Sequence, residues 1–248
     1  SRFRGWRTFS RNGIQPVLDA QIVKKRASFV VDVRVAVGVG ETCALFGASG
    51  AGKSTILACI AGTERPDSGQ IVLGETTLFP PALPVHRRVL GYLTQDANLF
   101  PHVDVASNVR FGLPRTDRAA HEPWISELRE RLGLAPIWNA AAARISGGQA
   151  RRVAFARMLA RKPPLLLLDE PFTGLDRAVI RDMIAAIGEW QRRLGFSLIV
   201  VDHDAGILSR LCRRVIAIES GRIVQDGEWG EMRARPATPS LAQLLAPL

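Results

Sequence analysis

The sequence predicts an α/β fold with a mostly parallel central sheet, an N-terminal antiparallel β subdomain and an inserted α-helical subdomain. Three observations carry that expectation. Two continuous apolar runs, "PLLLLLDEP" and "FSLIVVDHD", end in carboxylates or histidine, the pattern of parallel strands buried on both faces. A helix-length segment, Arg177–Leu194, lies between them and makes a crossover unit. A third stretch, "TCALFGASGAGKSTILACIAG", reads as strand, glycine loop and helix.

Taken in order, residues 1–16 are basic, punctuated by Pro and Gly, and read as a loose arm; the missing initiator Met points to a trimmed start. From 18 to 39, segments such as "SFVVDVRVAV" alternate as antiparallel strands. A buried strand Thr42–Phe46, the glycine loop and a helix Lys53–Ala61 follow. "SGQIVLGETTL" reads as a hairpin with turns near Ser68-Gly69 and Gly74-Glu75. Residues 96–161 change character: the runs "HEPWISELRERLGL" and "NAAAARISGGQARRVAFARMLAR" are helix-forming and carry little strand pattern. "RVIAIESGRIVQDG" closes with a second hairpin, and "PATPSLAQLLAPL" forms one short amphipathic helix. The boundaries are therefore 1–16 for the arm, 17–235 for the main domain with its insertion at 96–161, and 236–248 for the tail.

A chain of 248 residues with 47% hydrophobic content can bury a substantial core. Its longest apolar run is far too short to span a bilayer, and the basic N-terminus has no apolar signal region. Cys43, Cys59 and Cys212 are odd in number and not at metal-ligand spacing, which favours a reduced, cytosolic compartment. The net charge of +10 invites a nucleic-acid reading. Lysine stands only at Lys24, Lys25, Lys53 and Lys162, however, so the charge is nearly all arginine and reads as a coding bias rather than a binding surface.

"GASGAGKST" fits Gly-x-x-x-x-Gly-Lys-Ser/Thr, the Walker A phosphate loop, in its strand–loop–helix context. Glycines at Gly47, Gly50 and Gly52 let backbone N–H groups turn inward around phosphate oxygens, and the helix N-terminus adds positive potential. Lys53 neutralises phosphate charge and the Ser54 hydroxyl is the expected Mg²⁺ ligand. Asp169 ends an apolar strand as a Walker B carboxylate for the Mg²⁺ shell, and Glu170 is placed to polarise an attacking water. His203 ends the neighbouring strand within reach of a γ-phosphate.

With "GASGAGKST", a glutamine in "GYLTQDANLFPH", "ISGGQ", "LLLLDEP", "TGLD" and "VDHD" in that order, the chain resembles an ATP-binding cassette (ABC) ATPase from about 18 to 227. The resemblance implies a P-loop NTPase (RecA-like) core that binds ATP and Mg²⁺. It implies nucleotide contacts from Gly47, Ala48, Ser49, Gly50, Ala51, Gly52, Lys53, Ser54 and Thr55. Ser54, Gln95 and Asp169 would attend the metal, and Glu170, His203 and Gln95 the hydrolysis. Ser146, Gly147, Gly148 and Gln149 would form the signature motif and Asp176 the D-loop aspartate. Two such chains close head to tail, so the signature of one faces the ATP held by the other. Arg151 and Arg152 are expected on the surface of the signature helix, outside the chemistry. The position where the family stacks an aromatic on adenine holds Lys24, Lys25 and Arg26, with Phe29 slightly late, and an arginine plane is the substitute; Asp202 stands where many members carry Thr or Ser.

Residues 83–113, with "LFPH" and "NVRFGL", resemble the importers of small inorganic anions, ferric iron, thiamine and polyamines, molybdate-type subunits most of all. The implied chain is a peripheral ATPase subunit at the cytoplasmic side of the membrane. Its partners would be a second ATPase subunit (a homodimer), a separate integral membrane permease and, indirectly, a solute-binding protein; no nucleic acid is expected. The permease would dock a helix in a groove lined by Leu99, Phe100 and Val103. Molybdate-type subunits carry a C-terminal β-rich domain for which this chain ends too soon, so it is either a short-form subunit or a truncated one. An exporter subunit and a soluble ABC ATPase acting on nucleic acid are the alternatives.

Overall fold

The computed structural model describes residues 16–246, so the basic arm, apart from Pro16, lies outside the described residues. Alternation drives the first two strands. β1 (Pro16–Lys25) and β2 (Val30–Gly38) bury Leu18, Ala20 and Ile22 against Val31, Val33, Val35 and Val37 on one face. They pair antiparallel with Ala20 opposite Val35 and Ile22 opposite Val33. β3 (Thr42–Phe46) leads through the glycine loop into α1 (Lys53–Ala61). β4 (Ser68–Leu73) and β5 (Thr76–Phe79) return to the first sheet, whose order is β2-β1-β4-β5. The turn at Gly74-Glu75 joins them as expected. The turn expected at Ser68-Gly69 is absent, because both residues lie inside β4, paired with Val23 and Ile22; pairing with β1 overrides the local turn composition.

β6 (Gly91–Leu93) is followed by α2 (Val105–Arg110), α3 (Arg118–Arg131) and α4 (Gly147–Leu159). The long alanine-rich run does not form one helix. Ala142–Arg144 makes a separate 3-10 turn, and α4 starts only at Gly147, where Ser146 caps it. Trp124 of α3 anchors this region, donating from Nε1 to Leu159 O (3.0 Å).

β7 (Leu165–Asp169), α5 (Arg177–Leu194) and β8 (Ser197–Val201) form the crossover the apolar runs predict. The edge of Trp190 on α5 meets Trp124 with ring centroids 5.5 Å apart. α6 (Ala205–Leu211), β9 (Arg214–Glu219), β10 (Arg222–Glu228), α7 (Trp229–Ala234) and α8 (Pro239–Leu245) complete the chain. The second sheet has the order β10-β9-β3-β8-β7-β6, parallel except for β10.

Both faces of this sheet are covered, which explains the unbroken apolar runs. Leu166, Leu168, Leu198 and Val200 join the cluster formed with α3, α4 and α5. Leu165, Leu167, Ile199 and Val201 join the opposite cluster, shared with α1 and the first sheet. Each such side chain, fully buried, contributes about 1.5–3 kcal/mol. The carboxyl ends of β3, β7 and β8 therefore sit side by side on a rigid platform.

Candidate functional site

Residues 47–52 link β3 to α1. Gly47 adopts φ +153°, and a Cβ there would lie 2.1 Å from Ile218 O, so no other residue fits. Ala48, Ser49 and Gly50 form the exposed crest, while Ala51 and Gly52 are buried beneath it. Gly52 offers α1 no side-chain cap, and the first turn of the helix carries no acidic residue. Its amides are thus open to an outside acceptor, with the helix dipole aimed the same way. Lys53 Nζ donates to Gly47 O and Ala48 O, both at 2.8 Å, curled over its own loop. Burial pushes its ammonium below the ordinary value, and the Glu170 and Asp169 carboxylates oppose that shift.

Ser54 Oγ donates to Asp169 Oδ1 at 3.0 Å. Burial raises the Asp169 carboxyl above the usual carboxylate range, and the Ser54 bond works against it. Two hard oxygen donors beside a phosphate loop fit a small dication such as Mg²⁺, which takes few protein ligands and completes its shell from phosphate and water. Thr55 does not join them. It is buried, and its Oγ1 accepts from Arg26 Nε (3.1 Å) and Nη2 (2.7 Å). The same bonds, with a 2.7 Å ion pair to Glu64, tie down the guanidinium expected to replace an aromatic on adenine. Phe29 packs instead against Gly52 at the foot of the loop.

Glu170 follows the last residue of β7 and has φ +47°. For a residue with a Cβ this left-handed conformation costs about 1–2 kcal/mol. Its surroundings hold it there: Glu170 N donates to Val201 O at 2.8 Å. Asp169 sits opposite Val201 in the β7–β8 register, which brings His203 to the same edge. The His203 side chain is 80% exposed, with Nδ1 3.4 Å from Asp202 Oδ1. Asp202 itself is buried and accepts from Asp204 N at 3.0 Å. Burial raises its carboxyl above the ordinary value, partly offset by the Asp204 amide and His203.

Gln95 follows β6, exposed, with its carbonyl accepting from Arg151 Nη1. Arg151 corrects the expectation that it lies on the helix surface, since it is 3% exposed and bonded to main-chain carbonyls around Glu170. The physical reason is that carbonyls beyond the ends of β6 and β7 leave the sheet ladder and need donors. Arg152 is half-buried and also turned inward, donating from Nη1 to Leu132 O (2.7 Å) at the end of α3. Sequence reasoning missed Arg151, although it shares the buried stripe of α4 with Phe155 and Met158, at the i, i+4, i+7 spacing that flags a helix's inner face.

The Ser146 Oγ accepts from Gln149 N (3.2 Å) while Gln149 Oε1 accepts from Ser146 N (2.9 Å), a reciprocal capping box. Gly147 is exposed, and Gly148 lies against Gly174 and Leu175. Asp176 caps α5 by accepting from Val179 N at 2.9 Å. Among the described residues, no hydrogen bond joins 146–149 to 47–55. Gly47–Ser54, Asp169 and Glu170 thus form one cluster, and Ser146–Gln149 with Asp176 stand apart from it.

Leu99, Phe100 and Val103, expected to line a docking groove, are each partly exposed. Leu99 packs onto the core, and Phe100 lies on the ring of Phe111 at 4.2 Å with the Arg157 guanidinium over it. A cavity of about 230 Å³ opens next to them, lined among others by Tyr92, Asp96, Asn98, Arg157 and Arg161. Phe111 is 63% exposed beside it. A second cavity of about 530 Å³ lies between the starts of α5 and α6, lined by Thr173, Arg177, Asp202 and His203 among others.

The chain is 39% identical over 221 residues to an Fe(3+) ions import ATP-binding protein of Rhodococcus jostii, covering 88% of this chain and 63% of that protein. It is 40% identical to the thiamine import ATP-binding protein ThiQ of a Chelativorans species, covering 84% of this chain and 85% of the relative. The molybdenum import ATP-binding protein ModC of Rhodospirillum rubrum is 33% identical, with 91% of this chain and 62% of the relative covered. The chain therefore spans only about 63% of the length of the ferric-ion relatives it matches. Among solved structures, cbiO1 from Clostridium perfringens, part of the ABC transporter complex cbiONQ, superposes with a TM-score of 0.72 and 26% identity over 90% of this chain and 92% of its own. A profile described as ABC transporter matches residues 30–173, and with these relatives it shows that the chain belongs to the ABC transporter family.

Proposed function

We propose that this chain binds and hydrolyses ATP as the peripheral subunit of an importer on the cytoplasmic side of the membrane, driving a separate permease. The observation that carries the reading is the 3.0 Å contact between Ser54 and Asp169 beside an open phosphate loop, with Glu170 next in the chain. Among the described residues no helix is long and apolar enough to cross a membrane.

In this mechanism the amides of 47–52 and the α1 N-terminus receive the phosphates, and Lys53 exchanges its carbonyls at Gly47 and Ala48 for phosphate oxygens. Ser54, Gln95 and Asp169 would hold Mg²⁺, which when bound neutralises charge developing on the phosphates. Glu170 accepts the proton of the attacking water, and His203 meets the γ-phosphate from the neighbouring strand. A second copy contributes its Ser146–Gln149 turn, whose exposed amides and hydroxyl complete each site. Closure then depends on ATP, and hydrolysis weakens the dimer. The exposed Phe111 and the cavity beside it receive the permease helix. A solute-binding protein acts outside, through that permease. For the solute, the stronger likeness to ferric-ion and thiamine relatives favours those two over molybdate.

The test is hydrolysis by wild type and Glu170→Gln. The wild-type chain should release phosphate in a Mg²⁺-dependent manner, and Glu170→Gln should retain ATP binding while accumulating a nucleotide-bound dimer. A wild-type chain that binds ATP without hydrolysing it, or a variant with full activity, sinks the reading.

A further inference from the structure

Arg151 occupies the fifth position of α4, one turn beyond the capping Ser146. A guanidinium carries five N–H groups, and five main-chain carbonyls take them here. Nε donates to Pro171 O (3.2 Å), Nη1 to Thr94 O (2.8 Å) and Gln95 O, and Nη2 to Asp169 O (3.1 Å) and Glu170 O. The acceptors belong to two separate segments, the stretch after β6 and the end of β7, and α4 supplies the fork that joins them. The carboxylates of Asp169, Glu170, Asp96 and Asp202 offset its charge at longer range.

Glu170 is held from two sides. Its amide is fixed by Val201 O and its carbonyl by Arg151, while its backbone stays in a left-handed conformation that a non-glycine residue keeps only when its surroundings demand it. The only links from α4 to the Gln95 and Glu170 peptides among the described hydrogen bonds run through this one side chain. A planar fork on a capped helix transmits displacement without slack.

We propose that Arg151 is a positioning residue that locks the Glu170 and Gln95 peptides to the Ser146–Gln149 turn, so that a partner's nucleotide docking on that turn sets the attitude of this chain's own Glu170. The inference rests on the ATPase reading above and adds a route by which one half-site reports on the other. Lysine in this place donates from a single point and cannot span both segments. Methionine fills the volume and donates to none of the five carbonyls, of which, among the described hydrogen bonds outside the sheet ladder, only Glu170 O keeps another donor, Thr173 N at 3.4 Å.

The experiment compares wild type, Arg151→Lys and Arg151→Met as full chains. Steady-state ATP hydrolysis and hydrogen exchange of the 94–97 and 169–173 segments are read on the same samples. Expected for Arg151→Met is a kcat loss on the order of a hundredfold with KM for ATP changed less than about threefold, because Glu170 is misplaced while the phosphate loop is not. Arg151→Lys should recover part of kcat, the Hill coefficient for ATP should fall toward one in both variants, and exchange should quicken in the two segments but not in β1 and β2. Wild-type kcat and cooperativity in a folded Arg151→Lys overturn the proposal, as does unchanged exchange at 94–97 and 169–173. So does a loss confined to KM and thermal midpoint, which marks packing alone. Absence of ATP hydrolysis by the wild-type chain overturns the ATPase reading itself, and is thereby told apart from these results.

Discussion

Ser54 Oγ donates to Asp169 Oδ1 across a gap of 115 residues in sequence, joining the first turn of α1 to the last residue of β7. The bond presents two oxygens to one point, while burial, working against that bond, raises the Asp169 carboxyl's affinity for protons. Protons therefore compete with a metal there. Mg²⁺-dependent nucleotide binding should weaken as pH falls from 7.5 to 5, and more steeply than ordinary aspartate titration would give. Titrating Mg²⁺ against a fluorescent ATP analogue at both pH values checks this, and Asp169→Asn should flatten the pH dependence.

Gly47 has no room for a side chain, since its Cβ would meet Ile218 O at 2.1 Å. Gly47→Ala should move β9 or reshape the loop. It should cost more than about 2 kcal/mol in urea unfolding and abolish retention on immobilised ATP. A variant with wild-type stability and ATP retention would show the loop to be more plastic than this contact allows.

Strain at Glu170 can be read by comparing two truncations. Glycine relaxes φ +47° and alanine does not, so Glu170→Gly should be about 1 kcal/mol more stable than Glu170→Ala. Neither should hydrolyse ATP. Equal urea midpoints for the two would mean that the backbone is not strained there.

Asp202 carries a buried carboxyl whose folded-state pKa is raised above its unfolded value. Its contribution is full below the unfolded pKa and is lost as pH rises through the folded one. Asp202→Asn mimics the protonated form and keeps an acceptor for Asp204 N. The variant's melting temperature relative to wild type should therefore be more favourable at pH 7 than at pH 4; the opposite order would assign the carboxylate a stabilising partner, with His203 the nearest.

Phe111 is exposed, with its ring 4.2 Å from that of Phe100. Phe111→Asp should leave ATP hydrolysis by the purified chain within about twofold of wild type and remove copurification with permease. Permease retained by the aspartate variant would place docking elsewhere.

The elements that sequence reasoning located well are those with one strong pattern. β3, α1 and α5 fall where the glycine loop and the apolar runs place them, because burial on both faces leaves little ambiguity. Ser68-Gly69 carries turn composition, yet pairing with β1 makes it strand. Arg151 was hidden for a different reason. Its partners are main-chain carbonyls, which have no signature in sequence, and in a chain with 33 lysines and arginines one more arginine draws no notice. Asp202 stands where many family members carry Thr or Ser, and its burial emerges only from the fold. The separation of Ser146–Gln149 from the phosphate loop within one chain follows from the implied head-to-tail pair, and periodicity does not reveal it.

The turn between β9 and β10 passes over the phosphate loop. Gly221 N donates to Ala51 O (3.0 Å) and Gly221 O accepts from Asp32 N (2.8 Å), so a single residue ties the loop to β2 through the β9–β10 turn. A Cβ at Gly221 would meet Val30 O at 2.3 Å, which leaves that seam no play. The loop is consequently shaped when the two sheets dock, before any ligand arrives. Much of the ordering entropy that a phosphate would otherwise impose is settled during folding, and a nucleotide meets a cradle already set.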